Sequence, residues 1–211
     1  MSLNSFPYQL YLVISEADCM GRNFLQVAEQ AILGGVDVIQ LREKNSSTDS
    51  FLTKALQLIE ITDKYSIPLI INDNIEVAEK VNAAGIHVGN SDDPPVYLRQ
   101  RPLLTKKMIG YSIEYLSQLN NEETAVSDYL GISPVFRTDT KTDTITEWGL
   151  EGIKTIRQLT EKPLVAIGNI YLGNAKEVMN AGADCLAVVS AICHASDPQK
   201  AAYQLKNEIL K

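Results

Sequence analysis

AILGGVDVIQL, residues 31–41, decides the fold. Ala31 and Ile32 end a stretch, 24–33, in which Leu25, Val27 and Ala28 also recur at helical spacing. Gly34 and Gly35 then stop the helix, because glycine enters the left-handed conformation that closes a helical end. Val36–Leu41 follows at once as an apolar run with little alternation, the pattern of a strand covered on both faces. The same order of helix, glycine and strand returns in NAAGIHV (82–88) and NAGADCLAV (180–188), where Gly85 and Gly182 are the expected stops.

Working outward, β-rich runs fall at 11–15, 36–41, 67–72, 84–89, 107–112, 129–133, 163–168 and 185–190. Helical patterns separate them: 49–65 with Thr48 or Asp49 as N-cap, 150–159, and a last helix opening at Asp197-Pro198. Eight strand–helix beats predict a (β/α)8 TIM barrel of the α/β class, one domain over residues 1–211. A doubly wound sheet would open with a glycine-rich turn, and the SEADCMG that ends the first strand has none.

Composition narrows the function. The chain has 211 residues and a formal net charge of −7, which argues against a nucleic-acid-binding face. No apolar run is long enough to span a membrane, and the N-terminus has no signal-peptide pattern, so no membrane partner is expected. Cys19, Cys185 and Cys193 form no C-x-x-C pair and read as free thiols of a cytoplasmic protein. Only His87 and His194 are present, too few for a histidine-rich metal site. The sequence leaves a homo-oligomer open.

In a barrel of this kind the carboxyl ends of the strands form the active mouth. Strand 2 ends in Gln40, Arg42 and Lys44, and alternation sets these on one line toward the axis. Strand 3 ends in Asn72-Asp73, strand 4 in Gly89-Asn90 before Asp92-Asp93, and strand 5 at Ser112. Strand 6 leads to Thr138, Thr140 and Lys141; strands 7 and 8 end in Gly168-Asn169 and Ser190. Each has a plain structural role to offer: Arg42 and Lys44 as solvated charges beside Glu43 and Asp73, Asp73, Asp92 or Ser190 as helix caps, His87 as a hydrogen-bonded core histidine. Together, cations and carboxylates at one mouth suit a phosphate-rich ligand with a divalent metal, since Mg2+ takes one or two carboxylates plus phosphate oxygens. A second anion site is expected at the backbone N–H groups after strands 7 and 8.

QLREK (40–44), IINDN (70–74), GIHVGNSD (85–92), IGYS (109–112), PVFRTDTK (134–141), AIGNI (166–170) and AGADCLAVVSAI (181–192) resemble, in order, the thiamine phosphate synthase family. The resemblance implies a barrel enzyme that joins an aminopyrimidine methyl diphosphate to a thiazole ethyl phosphate, with Mg2+ and release of pyrophosphate. Carried over by position, Asp73 and Asp92 hold the metal; Asp92 is preferred to Asp93 by its spacing from His87. Arg42, Lys44, Asn72 and Lys141 bind diphosphate, and Gln40 and Ser112 meet the pyrimidine. Thr138 and Thr140 engage the thiazole, and Asn169, Val189 and Ser190 its phosphate. Catalysis falls to Lys44, Lys141, Arg42 and Ser112, which ease diphosphate departure and position the pyrimidinylmethyl cation for capture by the thiazole nitrogen.

Two departures stand out. The family commonly has I-G-G-I where this chain has Asn169, so phosphate binding there is expected to be altered. It commonly has G-x-G-P where this chain has Ser133, for which a small change of loop packing is expected. The rival readings are a thiazole tautomerase on the same scaffold and a non-catalytic phosphate-ligand sensor.

Overall fold

The computed structural model describes residues 6–137 and 146–211. Eight parallel strands close on themselves in sequence order: β1 (Leu10–Ile14), β2 (Val38–Leu41), β3 (Leu69–Asn72), β4 (Gly85–Val88), β5 (Met108–Ile113), β6 (Tyr129–Ile132), β7 (Leu164–Ile167) and β8 (Cys185–Val188), with β8 paired back to β1. This is the (β/α)8 TIM barrel that the repeated beat predicts. The helices on its outside are α1 (Phe24–Leu33), α2 (Thr48–Lys64), α3 (Ile75–Lys80), α4 (Pro95–Gln100), α5 (Glu122–Val126), α6 (Gly149–Leu159), α7 (Ala175–Asn180), α8 (Ser190–Cys193) and α9 (Pro198–Leu210).

Period-two alternation divides the apolar residues into two cores. Leu12, Ile14, Ile39, Leu41, Ile71, Ile86, Leu130, Ala166 and Leu186 point outward and pack beneath the helices. A smaller set, including Tyr11, Val13, Val38, Ile70, Tyr129, Val165 and Ala187, fills the barrel itself. That double burial explains why the strands read as continuous apolar runs.

Asparagine, serine and aspartate cap the helices. The Asn23 side chain accepts from Leu25 N and Gln26 N, Ser47 from Ser50 N, Asn74 from Val77 N, and Asp197 from Lys200 N. Ser47, not Thr48 or Asp49, therefore starts α2. Gly35 (φ 102°) and Gly182 (φ 115°) close their helices in the conformation expected of them. Gly85 does not: it begins β4, and Asn82 (φ 51°) takes the left-handed position after α3. Gly85 is needed for a different reason, since a Cβ there would lie 2.4 Å from Met108 O on β5.

At the amino ends of the strands a device recurs that the sequence analysis did not single out. Asp37 accepts from Gln9 N and Leu10 N, both at 2.9 Å, and pairs with Lys206. Asp128 accepts from Ile109 N at 2.7 Å and pairs with Arg99. Asp184 accepts from Leu164 N at 2.8 Å and pairs with Arg157. Each aspartate just ahead of a strand thus satisfies a backbone N–H of the preceding strand, and Asp37 also that of Gln9 leading into β1.

Candidate active site

The site lies at the carboxyl ends of the strands. A cavity of about 590 Å3 opens there, lined among others by Gln40, Arg42, Lys44, Asn72, Asp73, His87, Asp92 and Ser112. Residues from four separate stretches of sequence thus meet in one space. Gln40 and Arg42 are inward-facing by alternation from Val38, and Asn72 by alternation from Ile70. Glu43, between Arg42 and Lys44, faces the other way. It is buried, accepts from Lys54 Nζ at 2.7 Å, Ser46 Oγ at 2.7 Å and Glu16 N at 2.8 Å, and is no partner for either cation. Burial alone would raise its pKa, but these donors outweigh burial and hold it below the usual carboxylate value.

Asp73 is the most constrained residue of the mouth. Its φ is 60°, a left-handed conformation uncommon outside glycine and enriched for Asp and Asn, and Asn74 N donates to Asn72 O across it at 2.7 Å. Its carboxylate lies 3.5 Å from Lys44 Nζ and accepts from Asn72 Nδ2 at 2.6 Å. Burial, followed by the charge and hydrogen-bonding contact of Asp92, pushes its pKa up to about 6 against the opposing pull of Lys44. Two carboxylates therefore face each other beside one lysine. Neither serves as a helix cap: Asn74 caps α3, and α4 begins after Pro94 with no side-chain cap. Asp92 is instead oriented by Gly89 N, which donates to it at 2.8 Å. Tyr111 Oη braces the same loop by donating to Asn90 Oδ1 at 2.6 Å. Asp93 is exposed and does not line the cavity.

A second cavity of about 580 Å3 adjoins the first over β7 and β8, lined by Asp18, Gly168, Asn169, Val189 and Ser190 among others. Gly168 (φ 120°) is fixed by geometry, since a Cβ would fall 2.6 Å from Pro134 Cβ. Asn169 (φ 50°) holds the next left-handed position, and Asn174 Nδ2 ties down its carbonyl at 3.0 Å. Ser190 is not an N-cap: it is the first residue of α8, after Val189.

Val13, Arg42, Ser133, Ile167 and Ala187 line both cavities. Ser133 is thus more than the change of loop packing expected of it, because its buried side chain stands where the two spaces join. Among the described residues Arg42 has no side-chain ion pair, and it faces both spaces. Thr138, Thr140 and Lys141 lie outside the described residues.

Sequence reasoning passed over two side chains in the lower mouth. Tyr11 and Tyr129 are fully buried, their hydroxyls 3.0 Å apart. A signal for them was present: Gly110 is the register partner of Tyr129, and a Cβ on it would sit 2.2 Å from the Tyr129 ring and 2.4 Å from His87 Nδ1.

The donor set fits a divalent ion. Among the described residues no cluster of three or more His, Cys, Asp or Glu exists, so a metal here would take Asp73 and Asp92 and complete its shell from ligand oxygens and water, the usual Mg2+ arrangement. No described helix is long and apolar enough to cross a membrane.

Residues 10–192 match the profile of a family described as thiamine monophosphate synthase. A thiamine-phosphate synthase of Albidiferax ferrireducens is 48% identical over 201 residues, covering 95% of this chain and 91% of that protein. One from Chloroflexus aurantiacus is 44% identical over 199 residues, covering 94% and 91%. Among solved structures, a thiamine phosphate pyrophosphorylase from Pyrococcus furiosus superposes with a TM-score of 0.85 at 30% identity over 96% of each chain. A 3-hexulose-6-phosphate synthase superposes with a TM-score of 0.69 at 15% identity, over 95% of this chain and 99% of that one, a likeness of fold alone.

Proposed function

The chain belongs to the thiamine monophosphate synthase family, and from that premise we propose that it is a thiamine-phosphate synthase, a transferase of thiamine biosynthesis acting as one barrel domain over residues 1–211. It joins 4-amino-2-methyl-5-pyrimidinylmethyl diphosphate to 4-methyl-5-(2-phosphoethyl)thiazole, giving thiamine monophosphate and pyrophosphate. The observation that carries the reading is the meeting of Arg42, Lys44, Asn72, Asp73 and Asp92 in one cavity with Gln40 and Ser112.

In this reading the diphosphate lies across the ends of β2–β4. Arg42, Lys44 and Asn72 donate to its oxygens, with Lys141 added from the stretch of sequence after β6, and their attraction grows as negative charge develops on the departing group. Asp73 and Asp92 hold Mg2+, which when bound neutralises diphosphate charge. Gln40 and Ser112 orient the pyrimidine ring. The thiazole phosphate occupies the adjoining cavity at Asn169, Val189 and Ser190, and Thr138 and Thr140 engage its ring. Because the two cavities join along a common lining, the thiazole nitrogen is held beside the carbon that loses diphosphate, so alignment rather than a strong base drives the step. The three cysteines are unpaired, in keeping with a cytoplasmic enzyme.

Calorimetry with each substrate, with and without Mg2+, followed by a pyrophosphate-release assay, tests the reading. Release only with both substrates and metal is the expected result, and it is expected to be lost in Lys141→Ala. Isomerisation of the thiazole without diphosphate would select a tautomerase, and binding without turnover a sensor.

A further inference from the structure

Beneath Gln40 and Ser112 runs a continuous chain of side chains. Gln40 Nε2 donates to Tyr11 Oη at 2.9 Å, Tyr11 and Tyr129 hydroxyls lie 3.0 Å apart, Tyr129 Oη is 3.1 Å from His87 Nδ1, and His87 Nε2 is 2.9 Å from Ser112 Oγ. All five side chains line the same cavity, with the two buried tyrosines at its floor. We propose that Tyr11 and Tyr129 are positioning residues which, through His87, lock Gln40 and Ser112 into one shared hydrogen-bond polarity, so that the floor of the mouth accepts an amino-substituted pyrimidine and rejects its oxo counterpart. This rests on the function proposed above.

Counting protons carries the inference. Each tyrosine has one hydroxyl proton, and burial raises both pKa values, so neither is ionised near neutrality. With Gln40 donating, the Tyr11 proton has Tyr129 as its acceptor, and the Tyr129 proton has His87 Nδ1. His87 is then the Nε2–H tautomer and donates to Ser112 Oγ. Any single reversal sets two protons against each other or leaves two facing acceptor atoms with no proton between them, a cost of about 1–3 kcal/mol. The polarity therefore changes only as a whole.

In the polarity described, Gln40 is left with its Oε1 as acceptor, and Ser112, having accepted from His87, has its own proton to donate. An aminopyrimidine offers the complement, an amine N–H beside a bare ring nitrogen. An oxo ring in its N–H form inverts both groups: its carbonyl would face Gln40 Oε1, and its N–H would meet Ser112 only after that hydroxyl turned its proton away. Gly110 makes this possible by leaving room for the Tyr129–His87 contact, with ring centroids 5.5 Å apart and planes at 25°.

Tyr129→Phe keeps the ring but cuts the chain, and frees the Tyr11 proton to donate to Gln40 Oε1. The experiment compares kcat/KM for the amino and oxo pyrimidine diphosphates in wild type and variant. The wild type is expected to favour the amino ring by about a hundredfold or more, and Tyr129→Phe to shrink that ratio at least about tenfold with the thiazole phosphate KM within about twofold. A ratio unchanged in the variant, or absent in the wild type, overturns the proposal. Should Tyr129→Phe fail to fold, 15N spectra of the free wild-type protein decide instead. With only His87 and His194 to assign, the His87 proton is expected on Nε2, and a proton on Nδ1 overturns the relay. Absence of pyrophosphate release by the wild type with both substrates would defeat the proposed function, and the spectra would still settle the polarity.

Discussion

Aspartates stand at both ends of this barrel, and they are treated in opposite ways. At the amino end, Asp37, Asp128 and Asp184 each have a lysine or arginine and at least one backbone N–H. At the carboxyl end, Asp73 and Asp92 face each other across a left-handed backbone, and among the described residues Lys44 is the one cation paired with them. The first arrangement satisfies every charge and stabilises strand pairing. The second leaves negative charge uncompensated where a cation and an anionic ligand are to bind. One residue type thus supports the fold at one end and costs it stability at the other.

The contrast is broken most severely at Asp73. Asp73→Asn, which suits the same left-handed backbone, is expected to lower Mg2+-dependent pyrophosphate release about a thousandfold, while the midpoint of thermal unfolding stays level or rises. A matching fall in unfolding midpoint would place Asp73 with the structural aspartates instead.

Asp37→Ala tests the other end. It removes the acceptor of Gln9 N and Leu10 N and leaves Lys206 unpaired. The expected loss is about 2–3 kcal/mol in denaturant unfolding, with turnover per folded molecule unchanged. Lower turnover at full folding would mean that the two ends are coupled.

Acid titration sharpens the comparison further. Asp73 has a folded pKa of about 6, above the 3.8 of a free carboxyl. The folded chain therefore holds this proton more tightly than the unfolded chain does. The contribution is favourable below pH 3.8 and is lost as pH rises through 6. Asp92→Asn removes part of the repulsion, so it is expected to stabilise the metal-free protein by roughly 1–2 kcal/mol at pH 7 and by nothing near pH 3.5. A gain that persists at pH 3.5 would assign the effect to something other than charge.

The smallest effect is expected at Asn169. Asn169→Gly keeps the left-handed backbone available and removes only the side chain, so the KM for the thiazole phosphate should change a few-fold with the pyrimidine KM unmoved. A change confined to the pyrimidine substrate would contradict the placement of that loop.

These differences also mark what the sequence made legible. The barrel followed from strand–helix rhythm, and Arg42, Lys44, Asp73 and Asp92 stood out because charge at the end of an apolar strand is conspicuous. Asp37, Asp128 and Asp184 did not, since an aspartate ahead of a strand looks the same whether it is solvated or accepts from the backbone of a neighbour. Tyr11 and Tyr129 were hidden by their apolar surroundings, and only strand register sets Gly110 against Tyr129. Ser133 looked like a loop detail because its place between two cavities is set by β6 and β7 together. Gly85 was misread because a glycine before a strand serves a helix end and a crowded sheet equally well.

The wall common to both cavities has a practical consequence. Val13, Arg42, Ser133, Ile167 and Ala187 belong to each space, so a short covalent tether could span from one to the other without leaving the protein. A molecule carrying a pyrimidine head and a phosphorylated tail on such a tether would gain from effective concentration rather than new contacts, and the length of the best linker would measure the span between the two spaces.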